Sequence, residues 1–509
     1  MASSDISSRT SVGKAIARGA AWTLSIRLVN RSISVVSTLI LARLLTPTDF
    51  GVYALAMTVY AFVDLLGAFG FGYALIQNQD ANDEHYNTAW TLNLLFSVMS
   101  ASLLFVLAPF TADFFREPQL EGVMRFMCFL TLLQGTKNIG TINFQKHMTF
   151  DREFRFQILT KLSGFAVTIP LAFALKSYWA MLWGLLGTSL MLVVLSYVMQ
   201  PFRPRLELGR WREMISFSAW LQINNILTYF NRHTENLLVS RMTGVASVGS
   251  LQLAREVGNL VGELVQPINR AAFPGYARVN KDAPRLCDVF CDVTSMVMIV
   301  AFPVVLGIIA TAHLLVPVLL GEQWLHIVPL VQWLAMASLM MVVMSGTHNV
   351  LIALARLKWS TAIMACKLVL LVSFLLYFLP RYGVIGVGYA AVLSMGFVLI
   401  LCYLALRISL ALGLRQVVRL LYKPALSSLA MFAVVQSLFP LHWADSSISV
   451  QILQLTVAVA VGVFCYCLVL SLLWLLAARP EGPELKMLRL VHNRCGLGGF
   501  LLPKESQRA

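Results

Sequence analysis

Charged residues are scarce in this sequence, and their scarcity excludes an ordinary soluble protein. Asp, Glu, Lys and Arg make up 12% of the 509 residues, whereas soluble domains carry about 25%. Hydrophobic residues reach 58%. A soluble chain could not bury that much apolar surface, but a chain that crosses a membrane many times need not bury it. The composition therefore predicts a polytopic membrane protein.

Cysteine and catalytic motifs are also sparse, which argues against a metal centre and against an enzyme. The eight cysteines are scattered. The two close pairs, Cys287 with Cys291 and Cys465 with Cys467, lack the second pair and the histidines that zinc spacing requires. The sequence carries no HExxH motif, no Walker sequence and no recognisable Ser/His/Asp set. We therefore expect no catalytic residues, no metal site and no bound cofactor.

Long apolar stretches predict the fold class. Windows of about 19 residues divide the chain into about fourteen hydrophobic spans, so we expect an all-α polytopic membrane protein. These spans should form two parallel six-helix lobes followed by two C-terminal helices. The predicted spans are residues 15–42, 50–76, 88–110, 121–143, 156–175, 178–200, 213–240, 247–272, 287–312, 327–354, 359–380, 385–409, 423–440 and 449–477.

An internal repeat supports the division into two lobes. The same offset of 198 residues aligns five pairs of identical residues without a gap: Ala21 with Ala219, Trp22 with Trp220, Arg43 with Arg241, Gly51 with Gly249 and Ala56 with Ala254. The identities fall at helix starts, helix ends and turns, which is typical of a duplicated transporter half. Because each half contains an even number of spans, both halves enter the membrane from the same side, and we expect parallel repeats.

The spans and the repeat together predict the domain boundaries. We expect a cytoplasmic N-terminus at 1–14, an N-lobe at 15–200, a basic cytoplasmic linker at 201–212, a C-lobe at 213–409, two further helices with their preceding loop at 410–478, and a basic cytoplasmic tail at 479–509. Lys and Arg crowd the loops on one side, which is the positive-inside pattern and places both termini in the cytoplasm. This placement accounts for the net charge of +15 without nucleic acid as a partner.

One loop departs from that pattern. Residues 77–87 should be cytoplasmic, but they contain Asp80, Asp83 and Glu84 and no Lys or Arg. Acidic residues contribute little to orientation, so we keep the predicted topology. Three lysines lie near predicted helix ends, where their ammonium groups should extend to the cytoplasmic interface: Lys137, Lys161 and Lys367.

Four of the predicted helices carry polar side chains within apolar spans. In the first span, Arg27, Asn30, Arg31 and Ser34 follow helical spacing and share one face. A charge at mid-bilayer costs at least about 2.5 kcal/mol, so this face should look at protein or water. The eighth span carries polar residues at steps of three or four, which predicts a continuous polar stripe. The candidate site residues are, for substrate binding, Arg27, Arg31, Asn224, Asn225, Arg232, Arg255, Asn259, Gln266 and Arg270, and, for ion coupling, Asp64, Glu235, Glu256 and Glu263.

These intramembrane charges have two interpretations. In the first, they neutralise one another, as Arg255 could with Glu256 or Glu263, and lock the helices together. In the second, they line a water-filled cavity between the halves, whose charge leans slightly positive. A guanidinium-rich cavity suits phosphate or diphosphate, which Arg can bind through two hydrogen bonds.

One short stretch carries a family resemblance. The stretch Leu41–Ala56 reads LARLLTPTDFGVYALA, in which the pattern residues are Arg43, Leu44, Pro47, Asp49, Phe50, Gly51 and Tyr53. It resembles the Wzx-type polysaccharide-transporter flippases of the multidrug/oligosaccharidyl-lipid/polysaccharide superfamily. Arg18–Trp22 and Gly70–Ile76 also resemble this family, and Asn143–Lys146 is similar to its colanic-acid-exporter-like branch. The second copy departs from the pattern, because Val245 and Ser247 replace the proline and the acidic residue.

The resemblance implies a function and a location. Such proteins carry an undecaprenyl-diphosphate-linked oligosaccharide across the bacterial inner membrane for assembly of exopolysaccharide, O-antigen or capsule. Their two lobes alternate access around a cationic cavity, with H+ or Na+ coupling in some members. On this basis Arg27, Arg31, Arg232 and Arg255 would hold the diphosphate. The implied partners are the lipid-linked oligosaccharide, membrane lipids, and polysaccharide polymerase or export machinery.

Three rival interpretations stay open at this point. A MATE-like small-molecule antiporter of the same superfamily would share the architecture, but it typically has fewer spans and an acidic cavity. A membrane polysaccharide polymerase or ligase would need a large external loop with catalytic Arg or His, and the predicted external loops are short. A scaffold within the assembly machinery would not need the polar stripe of the eighth span.

Overall fold

The computed structural model describes residues 2–67, 71–78, 80–212, 219–439 and 448–476, and within these residues the regular structure is entirely helical. Inside those ranges, the side chains of residues 2–21, 24, 66–67, 73, 77, 219–224 and 270 lie outside the description. The helices are α1 Ala2–Leu44, α2 Pro47–Gly67, α3 Phe71–Gln77, α4 Asp83–Phe115, α5 Gln119–Gly135, α6 Asn143–Lys146, α7 Phe150–Leu175, α8 Trp179–Val198, α9 Ala219–Thr243, α10 Val245–Gly258, α11 Leu260–Arg278, α12 Ala283–Leu319, α13 Val328–Ala353, α14 Leu357–Tyr382, α15 Ile385–Leu410, α16 Leu414–Leu438 and α17 Ile448–Leu476. Two 3₁₀ turns, Ile139–Ile142 and Glu322–Ile327, join them. The predicted all-α class is confirmed.

Many of the described helices have the length and composition of membrane spans. Eleven helical segments in the described part of the chain are long and apolar enough to cross a bilayer. The predicted fourth span is shorter in the structure, because α5 has 17 residues and the chain then enters a 3₁₀ turn. A spanning helix needs about 20 residues. The structure therefore supports a polytopic membrane protein, and the count of about fourteen spans stays a prediction.

The polar stripe expected along the eighth span does not lie on one continuous helix. α10 ends at Gly258 and α11 begins at Leu260, with Asn259 between them at φ −91° and ψ 4°. The predicted helix is therefore interrupted at one residue, although the Asn259 N–H still donates to the Arg255 carbonyl at 2.9 Å, and the polar stripe itself stays a prediction. Glycine and asparagine are weak helix formers, and Pro267 and Pro274 follow inside α11, so this segment has little intrinsic tendency to stay straight.

Contacts divide the chain into two compact units, one ending at Gln252 and one beginning at Leu253. The first unit therefore contains α9 and the start of α10 in addition to α1–α8. One apolar core of this unit joins α2, α4 and α5 through residues such as Val63, Leu104 and Met124. The lobe boundaries predicted at residues 200 and 213 stay predictions, and the basic tail 479–509 lies outside the described residues.

The family-like stretch in the first copy forms the capped start of α2. Thr46 and Asp49 bond reciprocally: the Thr46 N–H donates to Asp49 Oδ2 at 3.0 Å, and the Asp49 N–H donates to Thr46 Oγ1 at 3.3 Å. Pro47 opens the helix, where its missing N–H costs nothing. The other carboxylate oxygen of Asp49 accepts from the N–H of Tyr178 at 3.0 Å, which ties this start to the turn before α8. The motif is thus a capping box with an added tertiary anchor.

The starts of α2 and α10 meet through two glycines that the repeat alignment pairs. A Cβ added to Gly51 would overlap the carbonyl group of Val245, and a Cβ added to Gly249 would overlap the carbonyl group of Pro47. Pro47 and Val245 are also related by the 198-residue offset, so the contact is reciprocal. A reciprocal contact is what a two-fold relation between the copies generates. The structure thus supports the register of the repeat.

An extended segment, residues 201–210, runs along the first turns of α4, and we call it the strap. The Asn87 side chain donates to Glu207 Oε2 at 2.9 Å and accepts from the N–H of Arg205 at 2.9 Å. Thr91 Oγ1 accepts from the N–H of Glu207 at 3.0 Å. Side chains of α4 therefore replace the backbone partners that an extended segment would otherwise lack.

The acidic loop that departs from the positive-inside pattern is balanced by basic neighbours. Glu84 Oε2 pairs with Arg210 Nε of the strap at 3.3 Å. Lys146 donates from Nζ to the carbonyl oxygen of Asn78 at 2.9 Å. Two basic side chains that are distant in sequence therefore contact the segment 77–87, one at a carboxylate and one at a backbone carbonyl.

The second unit is built around α12, a helix of 37 residues. Its contact with the last two helices is a small apolar core that includes Ala310, Met431 and Val435. The hydroxyl of Tyr466 in α17 donates to the carbonyl of Ile299 in α12 at 2.7 Å. The two C-terminal helices are therefore packed onto this unit as integral parts of it.

Alanine at the reciprocal glycines should destabilise the protein. We expect Gly51→Ala and Gly249→Ala each to cost about 1–3 kcal/mol, because a methyl group would displace a backbone carbonyl. The measurement is the thermal midpoint of the detergent-purified chain followed by size exclusion. Gly122→Ala is the matched control, since a Cβ there meets nothing within 4 Å. Equal midpoints for Gly51→Ala and Gly122→Ala would contradict the steric account.

Removing the α4 side chains should release the strap. Asn87 is 8% exposed, and Asn87→Ala removes two partly buried hydrogen bonds to the strap, at about 0.5–1.5 kcal/mol each. Glu84→Ala removes a half-exposed ion pair worth about 0–1 kcal/mol. Trypsin should therefore cleave at the strap arginines much faster in Asn87→Ala than in Glu84→Ala. The reverse order would show that the ion pair, rather than the buried amide, holds the strap.

Candidate functional site

Two polar cavities lie within the first unit. The first, of about 280 Å³, is lined by Tyr60, Asp64, Asn93, Phe96, Ser97, Ser100, Thr131, Gln134, Gly135, Lys137, Ile139, Thr141 and Ile142. The second, of about 490 Å³, is lined by Asn30, Lys137, Thr141, Ile142, Phe144, Gln145, Glu153, Phe156, Gln157, Thr160, Lys161, Thr188 and Leu192. The cavities share Lys137, Thr141 and Ile142, so one lysine stands on the wall of both.

Lys137 is positioned by the turn that follows α5. Asn138, which is fully buried, accepts from the N–H of Gly140 at 2.8 Å and donates from Nδ2 to the carbonyl of Phe202 at 2.7 Å. Its own N–H donates to Ser196 Oγ in α8 at 3.0 Å. These bonds fix the turn to α8 and to the strap, and they hold the adjacent lysine at the cavity wall.

The first cavity combines a carboxylate with a chain of neutral polar groups. The Tyr60 hydroxyl donates to Gln134 Oε1 at 3.3 Å, and Gln134 Nε2 donates to Ser189 Oγ at 3.1 Å. Asp64 lies one turn beyond Tyr60 on α2 and is exposed. This series of hydrogen bonds runs from α2 through α5 to α8, so it connects three helices at the cavity wall.

The second cavity is organised by Glu153, a carboxylate that is only 8% exposed. Its Oε1 accepts from Gln145 Nε2 at 2.7 Å and from Gln157 Nε2 at 3.0 Å. Two donated hydrogen bonds offset part of the cost of burying a carboxylate. Glu153 is therefore a fixed group of the cavity wall.

Two lysines supply positive charge to this second cavity. The Lys137 ammonium lies 5.5 Å from the ring centroid of Phe156, close enough for a cation–π interaction. Lys161 is half-buried one helical turn beyond Gln157. A charged group inside an apolar helical unit marks a functional site by default, because its burial is costly. The arrangement offers cations, amides and hydroxyls to a polar ligand.

The family-like stretch Asn143–Lys146 borders the second cavity through Phe144 and Gln145. Asn143 Oδ1 accepts from the Tyr86 hydroxyl at 2.6 Å, and Phe144 is 2% exposed. Gln145 bonds to Glu153, as described above, and Lys146 bonds to the loop before α4. Each residue of the stretch therefore makes a different tertiary contact, and together they connect the cavity floor to α4.

The predicted site residues are divided between the two units. In the first unit, Arg27, Asn225, Arg232 and Asp64 are exposed, and Arg31 and Glu235 are half-buried. In the second unit, Glu263 and Gln266 are exposed, and Arg255, Glu256 and Asn259 are half-buried. The side chains of Asn224 and Arg270 lie outside the described residues. Of the predicted set, Asp64 lines one of the two cavities, and the binding roles of all of them stay predictions.

The sequence analysis missed the groups that face the second cavity. Glu153, Gln157 and Lys161 recur every four residues on α7, which is a polar stripe of the kind sought only in the other helices. The structure places Lys137 and Lys161 on cavity walls. Across the described side chains, no three His, Cys, Asp or Glu residues gather as a metal site.

Comparisons with known proteins agree on one family and one fold. A family model described as polysaccharide biosynthesis protein matches residues 40–329. The lipopolysaccharide biosynthesis protein WzxC of Escherichia coli (strain K12) is 25% identical over 389 residues, which are 75% of this chain and 77% of that protein. A lipid II flippase MurJ structure in an inward closed conformation superposes with a TM-score of 0.72 at 12% identity, over 90% of this chain and 99% of that chain. An inward-facing MATE family transporter superposes with a TM-score of 0.58 at 16% identity, over 77% of this chain and 98% of that chain.

The second cavity should be accessible to water-soluble reagents. In a background without the eight native cysteines, we expect Gln157→Cys to react with charged methanethiosulfonates. Thr168→Cys should stay unreactive, because Thr168 lies on the same face of α7 but packs against Gly184. The two lysines should favour the anionic sulfonatoethyl reagent over the cationic trimethylammonium reagent, relative to their rates with a free thiol. Equal labelling at both positions would contradict a localised cavity.

Proposed function

This chain belongs to the polysaccharide biosynthesis protein family, and from that premise we propose that it is a lipid-linked oligosaccharide flippase. Its substrate would be an undecaprenyl-diphosphate-linked oligosaccharide repeat unit. The protein would move the headgroup from the inner to the outer leaflet of the bacterial inner membrane by alternating access, for assembly of surface polysaccharide. Both termini would be cytoplasmic, and the protein would act as a transporter and not as an enzyme.

The observation that carries this proposal is the polar, lysine-bearing pair of cavities inside an otherwise apolar helical unit. A volume of about 490 Å³ falls within the range of roughly 300–1,000 Å³ that ligand sites occupy. The match to a lipid II flippase fold over most of both chains is consistent with a large lipid-linked headgroup. The relative WzxC is named for lipopolysaccharide biosynthesis, which is consistent with the same class of substrate.

The arginines of the predicted site would hold the diphosphate. Arg27, Arg31, Arg232 and Arg255 are the four proposed ligands, since guanidinium groups bind phosphate oxygens in pairs. The proposed sugar ligands are Asn224, Asn225, Asn259 and Gln266, and Arg270 is a further proposed substrate-binding residue. The proposed coupling residues for H+ or Na+ are Asp64, Glu235, Glu256 and Glu263.

A small-molecule antiporter is the second candidate, because a MATE family transporter also shares the fold. The lysines of the cavities argue against it, since an organic cation would be repelled by an ammonium on the wall. Polymerase or export machinery would be a downstream partner on the flippase proposal. A polymerase or ligase would need a large external loop with catalytic Arg or His, and the predicted external loops are short.

Reconstituted protein should move a lipid-linked saccharide. We expect proteoliposomes to carry a fluorophore-labelled undecaprenyl-diphosphate disaccharide between leaflets, measured as the fraction of fluorescence that external dithionite quenches with time. Alanine at Arg27, Arg31, Arg232 or Arg255 should slow the movement by about tenfold or more, because a charged hydrogen bond is worth about 1.5–3 kcal/mol. Lysine at the same positions should restore part of the rate.

Arg125→Ala is the matched control, because Arg125 is exposed and pairs with Glu121 on the same helix. It should leave the rate unchanged. If wild-type protein moves the labelled lipid no faster than empty liposomes, but expels an organic cation dye, the antiporter is the correct function. If wild-type protein moves the lipid and all four alanine variants match it, the arginines belong to the structure and not to the headgroup site.

A further inference from the structure

The wall of the second cavity contains an acceptor with no donor. Asn30 Oδ1 is buried, and no described residue donates a hydrogen bond to it. Asn30 is on α1, facing the same cavity as Gln157 and Lys161 of α7. A buried carbonyl oxygen without a partner costs about 1–3 kcal/mol, so turning the Asn30 amide toward the cavity, where a ligand hydroxyl would donate to this oxygen, would regain that energy.

The remaining groups of the cavity match the surface of a sugar. Glu153 and its two glutamines present fixed acceptors and donors, and Thr160 and Thr188 add hydroxyls. The lining also includes Phe144 and Phe156, whose rings pack against each other and expose only their margins to the cavity. A pyranose has hydroxyls around its rim and apolar C–H faces, so it can use both kinds of group at once.

The charge of the cavity fits a ligand with a single negative charge. Lys137, Lys161 and Glu153 are the charged residues on the wall, which leaves one net positive charge. Lys137 already faces Phe156 and lies near Glu153. In the part of the chain that the structure describes, Lys161 has no ion-pair partner, so the net positive charge resides on its ammonium.

A carboxylate suits this site better than a diphosphate. A diphosphate carries more than one negative charge and is best held by several guanidinium groups, and no arginine lines this cavity. A single ammonium is a point charge that can balance one carboxylate. The lining therefore favours the carboxylate of an acidic sugar over the diphosphate of the same headgroup.

We propose that this cavity is a subsite for an acidic sugar, in which the sugar carboxylate pairs with Lys161 and a sugar hydroxyl donates to Asn30. The proposal rests on the flippase function proposed above and specifies its substrate class as a repeat unit that contains a uronic acid. In the predicted topology, Lys137 and Lys161 lie toward the cytoplasmic ends of their helices. The subsite would therefore engage the headgroup on the side from which it is loaded.

The test compares two lipids that differ only in one group. Both are labelled undecaprenyl-diphosphate disaccharides, and the terminal sugar is glucose in one and glucuronic acid in the other. Equilibrium binding to the full chain in nanodiscs and dithionite-monitored movement in proteoliposomes are measured in parallel. Wild-type protein should bind the glucuronic acid lipid about tenfold more tightly, equivalent to about 1.4 kcal/mol.

Variants of the wall should remove this preference selectively. Lys161→Gln should abolish the preference for the glucuronic acid lipid and leave binding of the glucose lipid unchanged. Lys161→Arg should retain the preference, which separates loss of charge from loss of folding. Asn30→Leu should weaken binding of both lipids, because both bring a hydroxyl group. Lys176→Gln is the matched control, because Lys176 is exposed at the other end of α7.

The outcomes separate the subsite from the overall function. If Lys161→Gln weakens the binding of both lipids equally, the anion that pairs with Lys161 is the diphosphate, and the acidic-sugar proposal is wrong. If wild-type protein binds the two lipids equally, the subsite is wrong even when both are moved. If the preference in binding is present and Lys161-dependent but neither lipid is moved, the subsite stands and the flippase function is wrong.

Discussion

The backbone contact between the starts of α2 and α10 sets the geometry of the first unit. At Gly51 and at Gly249, a carbonyl group occupies the space where any other side chain would begin. Next to this contact, α2 also packs against α9. The Thr58 carbonyl accepts a hydrogen bond from the Tyr229 hydroxyl, and the Thr58 hydroxyl accepts one from Asn236 Nδ2. Hydrogen bonds between membrane helices contribute on average about 0.6 kcal/mol each, so steric fit rather than bonding decides the register.

Once these helices are fixed, several charged side chains of the unit are matched by polar or charged groups, some close and some distant in sequence. Glu153 is matched by two glutamines, and the acidic loop before α4 is matched by Arg210 and Lys146. Lys161 is the exception on the cavity wall, and Asn30 opposite has an acceptor without a donor. Burying such groups in apolar surroundings raises the free energy of the protein, and a ligand that pairs with them lowers it again. The second cavity is thus where polar groups of the first unit remain available to a ligand.

Much of the architecture could be predicted from the sequence, because it depends on patterns that are local or periodic. The 198-residue offset aligned Gly51 with Gly249 as equivalent positions of the repeat, and the structure places the two in one reciprocal contact. The cavity could not be predicted in the same way. Asn30, Lys137 and Lys161 lie in three different segments of the chain, so the spacing of residues within one helix could not predict that all three line the second cavity. The break at Asn259 was missed for a related reason, since hydropathy windows average over one weak position.

The two copies differ most where the first carries its cap. Thr46, Pro47 and Asp49 fix the start of α2 and tie it to the turn before α8, whereas α10 follows Gly244, whose φ is +90°. Both starts need a glycine for their mutual contact, and the start of α2 is also hydrogen-bonded to the turn before α8. The capped copy continues as an uninterrupted helix of 21 residues, and the uncapped copy breaks after 14. Duplication therefore explains the shared docking point, and the two helices differ in the capping of their starts and in their lengths.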